Sequence, residues 1–282
     1  MWSVNPLNRV QRRFAPHRKT SVSPALMEEV EQPPAWMYAW QLGGGVVTPV
    51  LGPELPDIHR TRLALMEGPV RAALSAAGPN ASVIDLACNE GWFSHRVLEW
   101  GASRVLGVDI RPQVIRRAEL VRAHFGIPSE RFELRCADVF DLSASELGTF
   151  DVVLCLGLIY HLENPIGAMR LARALTRGIC VIESQLTRQD EAIVLGNGQS
   201  DLYEENLASF AARVETDYES NMLASAGGVV CLTPNRAALL QGAEAAGFAE
   251  LELAPAASGH NRQYVLGDRA VLIARPHRRS EA

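Results

Sequence analysis

The chain has 282 residues, of which 48% are hydrophobic and 21% charged, and its formal net charge is −5. This composition is typical of a globular protein with one large core, and the acidic balance argues against a dominant nucleic-acid surface. The sequence has no run of 18 apolar residues, so no membrane span is predicted. Because no apolar signal stretch follows the first arginines, we expect a cytoplasmic protein.

Cysteine and lysine usage exclude further classes of protein. The five cysteines form no C-x-x-C pair, so we expect buried thiols and predict neither a zinc site nor any other metal site. Lys19 is the only lysine, and it lies in an N-terminal stretch without periodicity. A Walker A phosphate site and a pyridoxal Schiff base each need a lysine in the folded core, so both are excluded.

Residues 1–80 are predicted to form an arm and a substrate-side extension. The basic, proline-containing stretch 1–33 predicts a solvated arm, with contact to RNA as the alternative. Aromatic residues then alternate before a triple glycine, which indicates a short strand and a turn. This strand either packs on the main domain or forms a wall over a substrate. Residues 57–77 predict a helix that breaks at Gly68-Pro69.

Strands and helices alternate from residue 82 onward. The predicted strands are 82–87, 104–110, 131–136, 150–156 and 178–183, and the predicted helices are 91–100, 112–125 and 165–176. Apolar strands that alternate with helices are typical of a parallel, doubly wound sheet. We therefore predict an α/β core over residues 81–185.

The alternation is interrupted by a polar segment, 186–231. A segment of this length between sheet elements is usually functional, and we predict a mostly helical cap over the carboxyl ends of the strands. Residues 232–282 then complete the sheet with a helix over 234–246, capped by Thr233, and two strands. No helix is predicted between strands 249–254 and 269–275, so the last strand should be antiparallel. The predicted fold is a seven-stranded Rossmann-like sheet with an N-terminal extension and a cap insertion.

The stretch V-I-D-L-A-C-N-E-G-W-F-S, residues 83–94, joins the first strand of this sheet to a helix through a tight turn. Backbone amides and the helix dipole at such a turn attract a carboxylate or a phosphate. Asp85, at the strand end, would repel a pyrophosphate but attract an ammonium group. A ligand that carries a carboxylate and an ammonium group fits both features, as does the amino-acid end of S-adenosylmethionine (SAM).

Acidic residues end the next two strands in the same way. Asp109 lies 18 residues after Gly91, where a carboxylate accepts hydrogen bonds from both ribose hydroxyls. Asp138 follows the third strand and could accept from the adenine amino group. NAD would require G-x-G-x-x-G, whereas this turn is A-C-N-E-G. The predicted cofactor-binding residues are Asp85, Ala87, Asn89, Gly91, Trp92, Phe93, Asp109, Ile110, Ala137, Asp138, Val139 and Leu156.

Residues 83–185 resemble the core of class I SAM-dependent methyltransferases, whose glycine-rich motif is usually acidic-x-G-x-G-x-G. Here the motif is D-L-A-C-N-E-G, so Ala87 and Asn89 replace two glycines. Alanine is small, and asparagine tolerates a left-handed backbone.

Longer stretches are similar to one subgroup of that family, which contains the tRNA wobble-uridine carboxymethyltransferase and related small-molecule methyltransferases. These stretches are A-W-Q-L-G-G-G-V-V-T-P, L-G-L-I-Y-H-L-E-N-P, C-L-T-P-N-R and D-R-A-V-L-I-A-R. A carboxylated form of SAM would need a further cation, for which Arg236 and Arg262 are the candidates. The sequence does not place either arginine beside the added carboxylate, so plain SAM is the predicted cofactor.

Methyl transfer from a sulfonium mainly requires alignment of the reacting groups and exclusion of water. Tyr160 and His161 follow the fourth strand and are the predicted catalytic residues. The ordinary pKa of a histidine side chain lies near neutrality, so His161 could accept a proton as a general base. The alternative is that His161 forms a structural hydrogen bond. The predicted substrate-binding residues are Trp36, Tyr38, Trp40, Tyr160, Glu183, Tyr203 and Arg236.

The resemblance implies a methyltransferase that acts on an oxygen, nitrogen or carbon atom of a small molecule, for example in specialised metabolism. Two alternatives stay open at this point. One is an enzyme that modifies tRNA, and the other is a SAM-binding protein without catalytic activity. The sequence leaves the oligomeric state open.

Overall fold

The N-terminal part of the chain packs against the predicted core. The computed structural model describes residues 21–188, 208–215 and 230–277. The first elements in chain order are α1 (Pro24–Glu31), β1 (Gln41–Gly43), β2 (Val46–Val47) and α2 (Leu55–Ala77). Helix α2 carries a buried stripe at every fourth residue, and this stripe packs toward the sheet. Its members are Ile58, Arg62, Met66, Val70 and Leu74.

The core alternates between strands and helices, as the sequence predicts. Its elements are β3 (Ser82–Leu86), α3 (Trp92–Glu99), β4 (Arg104–Asp109), α4 (Pro112–His124), β5 (Phe132–Cys136), α5 (Ala144–Leu147), β6 (Phe150–Leu156), α6 (Pro165–Leu175) and β7 (Thr176–Gln185). The elements that follow are β8 (Phe210–Val214), β9 (Val230–Pro234), α7 (Arg236–Ala245), β10 (Glu250–Leu253), α8 (Arg262–Val265) and β11 (Arg269–Arg275).

Seven strands form one sheet in the order β10–β11–β7–β6–β3–β4–β5. Strands β3 to β7 are parallel, and β11 runs antiparallel to both of its neighbours. Successive side chains of a strand face opposite sides of a sheet, so each strand contributes to two apolar layers. Val83 packs with the N-terminal elements, whereas Ile84 packs in the layer that includes α6 and α7. The predicted seven-stranded Rossmann-like sheet with an antiparallel last strand is confirmed.

Several local predictions were wrong. Residues 24–31 form a helix, because Ser23 caps it and Leu26 and Val30 are buried. Helix α2 continues through Pro69, because buried residues on both sides of the proline hold it against the sheet. Asn235, and not Thr233, caps α7, since its side-chain oxygen accepts a hydrogen bond from the amide of Ala238.

Most of the predicted helical cap, 186–231, lies outside the described residues, so it stays a prediction. Within it, β8 pairs antiparallel with β9 through backbone hydrogen bonds. One prediction about the last two strands needs correction. A short helix, α8, lies between the last two strands, although their pairing is antiparallel as expected. Among the described residues, no helix combines the length and the apolar character that a membrane crossing requires.

Candidate active site

A cavity of about 560 Å³ opens at the carboxyl ends of β3, β4 and β6. Its volume lies within the range of about 300–1,000 Å³ that is usual for small-molecule and cofactor sites. Open α/β sheets bind ligands at this edge. The predicted site residues that line it are Tyr38, Ala87, Asn89, Asp109, Ile110, Asp138, Val139, Leu156, Tyr160 and His161.

Asp109 is the buried acid at one end of the cavity. Its Oδ2 accepts a hydrogen bond from the Asn89 amide at 3.0 Å, and its Oδ1 accepts one from the Arg111 amide at 3.0 Å. Burial raises the pKa of Asp109, whereas these amides lower it. A carboxylate has about four acceptor positions, so both oxygens can accept further hydrogen bonds from a ligand.

Asp138 faces the same end of the cavity from the next strand. Its Oδ1 accepts a hydrogen bond from the Phe140 amide at 2.9 Å, which caps a 3₁₀ helix over Val139–Asp141. One carboxylate oxygen is therefore used by the backbone, and the other is left for a ligand. Ala137 is half-buried beside it but does not line the cavity.

The turn after β3 has the backbone that a glycine-rich turn would have. Ala87 and Asn89 adopt φ values of 59° and 52°, and Gly91 adopts 76°. Asn89 supports this conformation because its Oδ1 accepts a hydrogen bond from the Glu90 amide. A Cβ atom at Gly91 would lie 2.8 Å from the Phe132 ring, so packing inside the protein also requires this glycine.

Asp85 does not line the cavity. Its Oδ2 accepts a hydrogen bond from the Ser94 hydroxyl at 2.6 Å, so the carboxylate points toward the first turn of α3. Burial raises its pKa to about 7, and the Ser94 hydrogen bonds oppose this shift. This hydrogen bond uses one of the two carboxylate oxygens, and the contact of Asp85 with an ammonium group stays a prediction. Gly91, Trp92 and Phe93 also lie outside the cavity lining.

Glu90, in the same turn, is fully buried and joins the N-terminal segment to the core. Its carboxylate accepts hydrogen bonds from the amides of Met37 and Tyr38, and Arg117 lies 3.6 Å away. Arg117 also donates to the Pro34 carbonyl at 2.8 Å. Burial raises the pKa of Glu90 to about 7, against the opposing effect of the Met37 amide and Arg117.

Tyr38 lines the cavity, whereas the neighbouring aromatic residues Trp36 and Trp40 do not. Trp36 donates from Nε1 to the Glu29 carbonyl, and the Arg117 guanidinium lies 4.7 Å from its ring centroid. Trp40 is fully buried. The alternation of aromatic residues therefore serves core packing at two positions and the cavity wall at one. The backbone here forms an isolated bridge at Trp36 and not the predicted strand.

Arg62 and Arg269 line the other end of the cavity, and both bind Glu183. Arg62 Nη2 lies 2.7 Å from Glu183 Oε2, and Arg269 Nη1 donates to Oε1 at 2.9 Å. Tyr264 also donates to Oε1, at 2.7 Å. Burial would raise the pKa of Glu183, but the two guanidinium groups outweigh burial and lower it. Glu183 is fully buried and does not line the cavity, whereas the sequence predicts that it contacts the substrate.

Tyr160 and His161 lie in a 3₁₀ helix, Ile159–His161, directly after β6. The Arg269 guanidinium lies 5.6 Å from the Tyr160 ring centroid. His161 Nδ1 is 3.9 Å from Glu215 Oε1 and is buried without a hydrogen-bond partner among the described residues. Burial lowers the pKa of His161 to about 4, although Glu215 opposes this shift. The imidazole is therefore neutral near pH 7.

His161, Glu215 and Cys231 place possible metal-ligand atoms within 4.8 Å of one another. Arg213 forms an ion pair with the same Glu215 carboxylate, and a cation at this position opposes the binding of a metal ion.

The remaining predicted residues lie elsewhere. Arg236 and Arg262 are exposed and do not line the cavity. Tyr203 falls outside the described residues.

A family model described as a methyltransferase domain matches residues 77–233, which is more than half of the chain. This chain belongs to the class I SAM-dependent methyltransferase family. The fold and family predicted from the sequence are thus confirmed. The finer similarity to the subgroup that contains the tRNA-modifying enzyme stays a prediction.

Two relatives of this methyltransferase are ubiquinone biosynthesis O-methyltransferases. The protein of Xanthomonas oryzae pv. oryzae (strain PXO99A) is 33% identical over 145 residues, which are 51% of this chain and 57% of the relative. The protein of Xanthomonas campestris pv. campestris (strain B100) is 31% identical over 131 residues, which are 45% of this chain and 53% of the relative. The methyltransferase thus spans about half the length of the curated relatives that it matches.

The solved N-terminal domain of EvdMO1, with S-adenosylhomocysteine (SAH) and D-fucose present, has the same fold as this methyltransferase. The TM-score is 0.63 with 22% identity, and the match covers 97% of each chain. Magnesium protoporphyrin IX methyltransferase from Synechocystis PCC 6803, with SAM bound, matches at a TM-score of 0.51 and 14% identity. That match covers 97% of this chain and 98% of the other.

Arg62, Arg269 and Glu90 are not among the site residues predicted from the sequence. Arg62 carries a signal, since it is the charged member of the otherwise apolar stripe on α2. Glu90 carries a weaker signal, because it is a charged residue in a turn of small residues. Arg269 follows a polar residue at the start of β11, and no local pattern shows that it is buried.

Proposed function

We propose that this methyltransferase transfers the methyl group of SAM to a small-molecule acceptor bound in the cavity. The observation that carries the proposal is the division of the cavity into two chemically different ends. Asp109 and Asp138 provide acceptors at one end, and Arg62, Arg269 and Tyr160 provide cationic and aromatic groups at the other. A nucleoside and a second, smaller ligand match these two ends.

The residues at the acidic end fit a nucleoside. Both oxygens of Asp109 retain acceptor positions for ribose hydroxyls, and one oxygen of Asp138 remains for an adenine amino group. Ile110 and Phe140 are partly exposed apolar side chains in the lining, which suit the faces of a base. Ala87 and Asn89, with their left-handed backbone, let the turn approach the ligand closely.

When bound, SAM supplies a methyl group that its sulfonium already makes reactive. The chain must then align the acceptor and exclude water. Glu90 contributes to this by fixing the segment that carries Tyr38 over one side of the cavity. His161 lines the cavity as a neutral imidazole, so it can take a proton from an acceptor that arrives protonated.

The names of the two relatives support a small molecule with an oxygen nucleophile as the acceptor. The basic stretch that would favour tRNA as the acceptor falls mostly within residues 1–20, outside the described residues.

Calorimetry with SAM, followed by transfer of a radiolabelled methyl group, tests the proposal. We expect SAM to bind, and label to enter a metabolite extract but not total tRNA. Label in the tRNA fraction would favour the RNA-modifying alternative. Binding of SAM without label in either fraction would favour a SAM-binding protein without catalytic activity.

A further inference from the structure

One ring nitrogen of His161 is sealed inside the protein. His161 lines the cavity with a side chain that is 20% exposed, whereas its Nδ1 is buried and has no hydrogen-bond partner within the described ranges 21–188, 208–215 and 230–277. A neutral imidazole carries its proton on one nitrogen and accepts hydrogen bonds with the other. The position of this proton therefore decides whether His161 can act as a base toward the cavity.

A carboxylate lies beside the buried nitrogen. Glu215 Oε1 is 3.9 Å from His161 Nδ1, and the Glu215 side chain is 10% exposed. This distance is longer than an N–H···O hydrogen bond of about 2.9 Å, but catalytic contacts are often long before the substrate binds and shorten afterwards. Because a carboxylate accepts hydrogen bonds and cannot donate them, its position favours the proton on Nδ1. Nε2 is then left as the acceptor.

The pairing of β8 with β9 brings Glu215 to this position. Residues two apart on a strand, and residues directly opposite each other on antiparallel strands, face the same side of a sheet. Glu215 comes two residues after Arg213, and Arg213 is opposite Cys231. Cys231 donates its thiol hydrogen to the His161 carbonyl at 3.5 Å, and the Leu232 amide donates to the carbonyl of the next residue at 3.0 Å. These contacts hold β9 against the 3₁₀ helix that carries His161.

Glu215 also provides the negative charge that favours a proton on His161. Burial lowers the pKa of His161, and Glu215 raises it. Three guanidinium groups lower it further, those of Arg111, Arg213 and Arg269. Arg213 forms an ion pair with Glu215 but is 53% exposed, so water and salt screen part of its charge. The carboxylate can therefore stabilise the imidazolium that forms when His161 takes a proton.

We propose that Glu215 is a positioning residue for His161, which keeps the imidazole proton on Nδ1 so that Nε2 can take a proton from the methyl acceptor. The proposal rests on the proposed function, with His161 as the base. For a hydroxyl acceptor, the O–H bond breaks and an N–H bond forms at Nε2, while the oxygen bonds to the methyl carbon and the carbon–sulfur bond of SAM breaks. The proton then passes from His161 to water after SAH and the methylated product have left.

The position of the proton can be measured without an acceptor. Nitrogen-15 NMR of purified protein with labelled histidine, at pH 7, distinguishes the two neutral tautomers, and the His161 signals are those that are missing from His161→Gln. We expect the proton on Nδ1 in the wild-type protein. Glu215→Met is similar in size but has no acceptor, so it should shift the population toward the Nε2–H tautomer. Glu215→Gln retains a carbonyl oxygen and should keep the proton on Nδ1.

The rate of methyl transfer to a metabolite extract is the second measurement. At saturating SAM, Glu215→Met should lower the rate by about 10- to 100-fold, the effect of losing one hydrogen bond to a charged group, and Glu215→Gln should be intermediate. In the His161→Gln background, Glu215→Met should cause no further loss, since Glu215 acts through His161. SAM affinity should not change in any of these variants.

Glu252→Met is the matched control, because Glu252 also pairs with an arginine, Arg275, but is 61% exposed on β10 and lies outside the cavity. It should leave the rate and the tautomer unchanged. Backbone hydrogen bonds hold β8 against β9, so the fold should persist in the Glu215 variants, which circular dichroism will check.

Three results would overturn the proposal. One is a wild-type His161 that carries its proton on Nε2. Another is an equal loss of rate from Glu215→Met in the wild-type and His161→Gln backgrounds, which would indicate a structural role. The third is loss of activity in EDTA that zinc restores, since His161, Glu215 and Cys231 would then bind a metal ion. Wild-type protein that transfers no label would contradict the proposed function, whereas the tautomer measurement would still test the role of Glu215.

Discussion

The carboxylate of Glu90 accepts a hydrogen bond from the backbone amide of Tyr38 at 3.3 Å, across 52 residues of sequence. This contact joins the turn after β3 to the segment that forms one wall of the cavity. Since Glu90 is fully buried, the contact also couples the position of this wall to the ionisation of a carboxyl group.

Replacing Glu90 by glutamine should change how folding stability depends on pH. Burial raises the pKa of Glu90 from 4.5 to about 7, so the folded protein binds a proton that the unfolded chain releases between these values. The stability linked to this proton is present below the unfolded pKa and is lost as the pH rises through the folded pKa. It amounts to about 3 kcal/mol.

Urea unfolding of both proteins from pH 5 to pH 8 measures this effect. The stability of wild type minus that of Glu90→Gln should fall as the pH rises. Asp85 and Glu99 also have pKa values raised to about 7, but they are present in both proteins, so their effect cancels. Parallel stability curves would show that Glu90 titrates normally.

Asp109→Ala should weaken SAM binding. The variant removes the acceptor assigned to the ribose hydroxyls, and loss of such hydrogen bonds to a charged group costs about 1.5–3 kcal/mol, or roughly 10- to 150-fold in Kd. Calorimetry measures the change. Asp141→Ala is the control, since Asp141 is exposed in the neighbouring 3₁₀ helix and does not line the cavity. Unchanged affinity in Asp109→Ala would remove this residue from the cofactor site.

Gly157→Ala should affect both the backbone and the cavity. A residue with a Cβ atom at φ of 72° costs roughly 1–2 kcal/mol of stability, and the added atom would lie against Arg62 and Tyr160. Gly148→Ala provides a matched control, because Gly148 has the same φ of 72° but nothing within 4 Å of its Cβ position.

Thermal unfolding and calorimetry together separate these two effects. Both variants should lose similar stability, since the backbone strain is alike. Only Gly157→Ala should weaken binding of ligands in the cavity, by about fivefold, the equivalent of roughly 1 kcal/mol. Equal ligand affinities in the two variants would mean that the space beside Gly157 is not used.

His161→Gln should slow methyl transfer by about 10²- to 10⁴-fold if the acceptor loses a proton during the reaction, and it should leave SAM affinity unchanged. Because the pKa of His161 is lowered to about 4, the ratio of the wild-type rate to the His161→Gln rate should be constant from about pH 5.5 to pH 8 and should fall only in more acidic buffer. Radiolabelled methyl transfer measures both effects. A break near the ordinary value of 6.5 would contradict a buried, neutral imidazole.

The sequence by itself determined the parallel α/β core and the strand ends that carry Asp109 and Asp138. Strands 150–156 and 269–275 agree with the structure at both ends, since apolar periodicity and turn residues are local signals. The left-handed backbone of Asn89 agrees with the sequence, because asparagine tolerates it, whereas the φ of 59° at Ala87 is disfavoured for alanine and is imposed by the surrounding structure.

The tertiary structure alone decided which side chains line the cavity. Asp85 binds Ser94 and not the cavity, and the group of Arg62, Glu183 and Arg269 comes from three distant parts of the chain. The direction of a side chain and the partner of a buried charge depend on contacts between elements, and no local pattern encodes them. The strand ends can therefore be located from the sequence, but the charge of the cavity depends on how α2, β7 and β11 pack together.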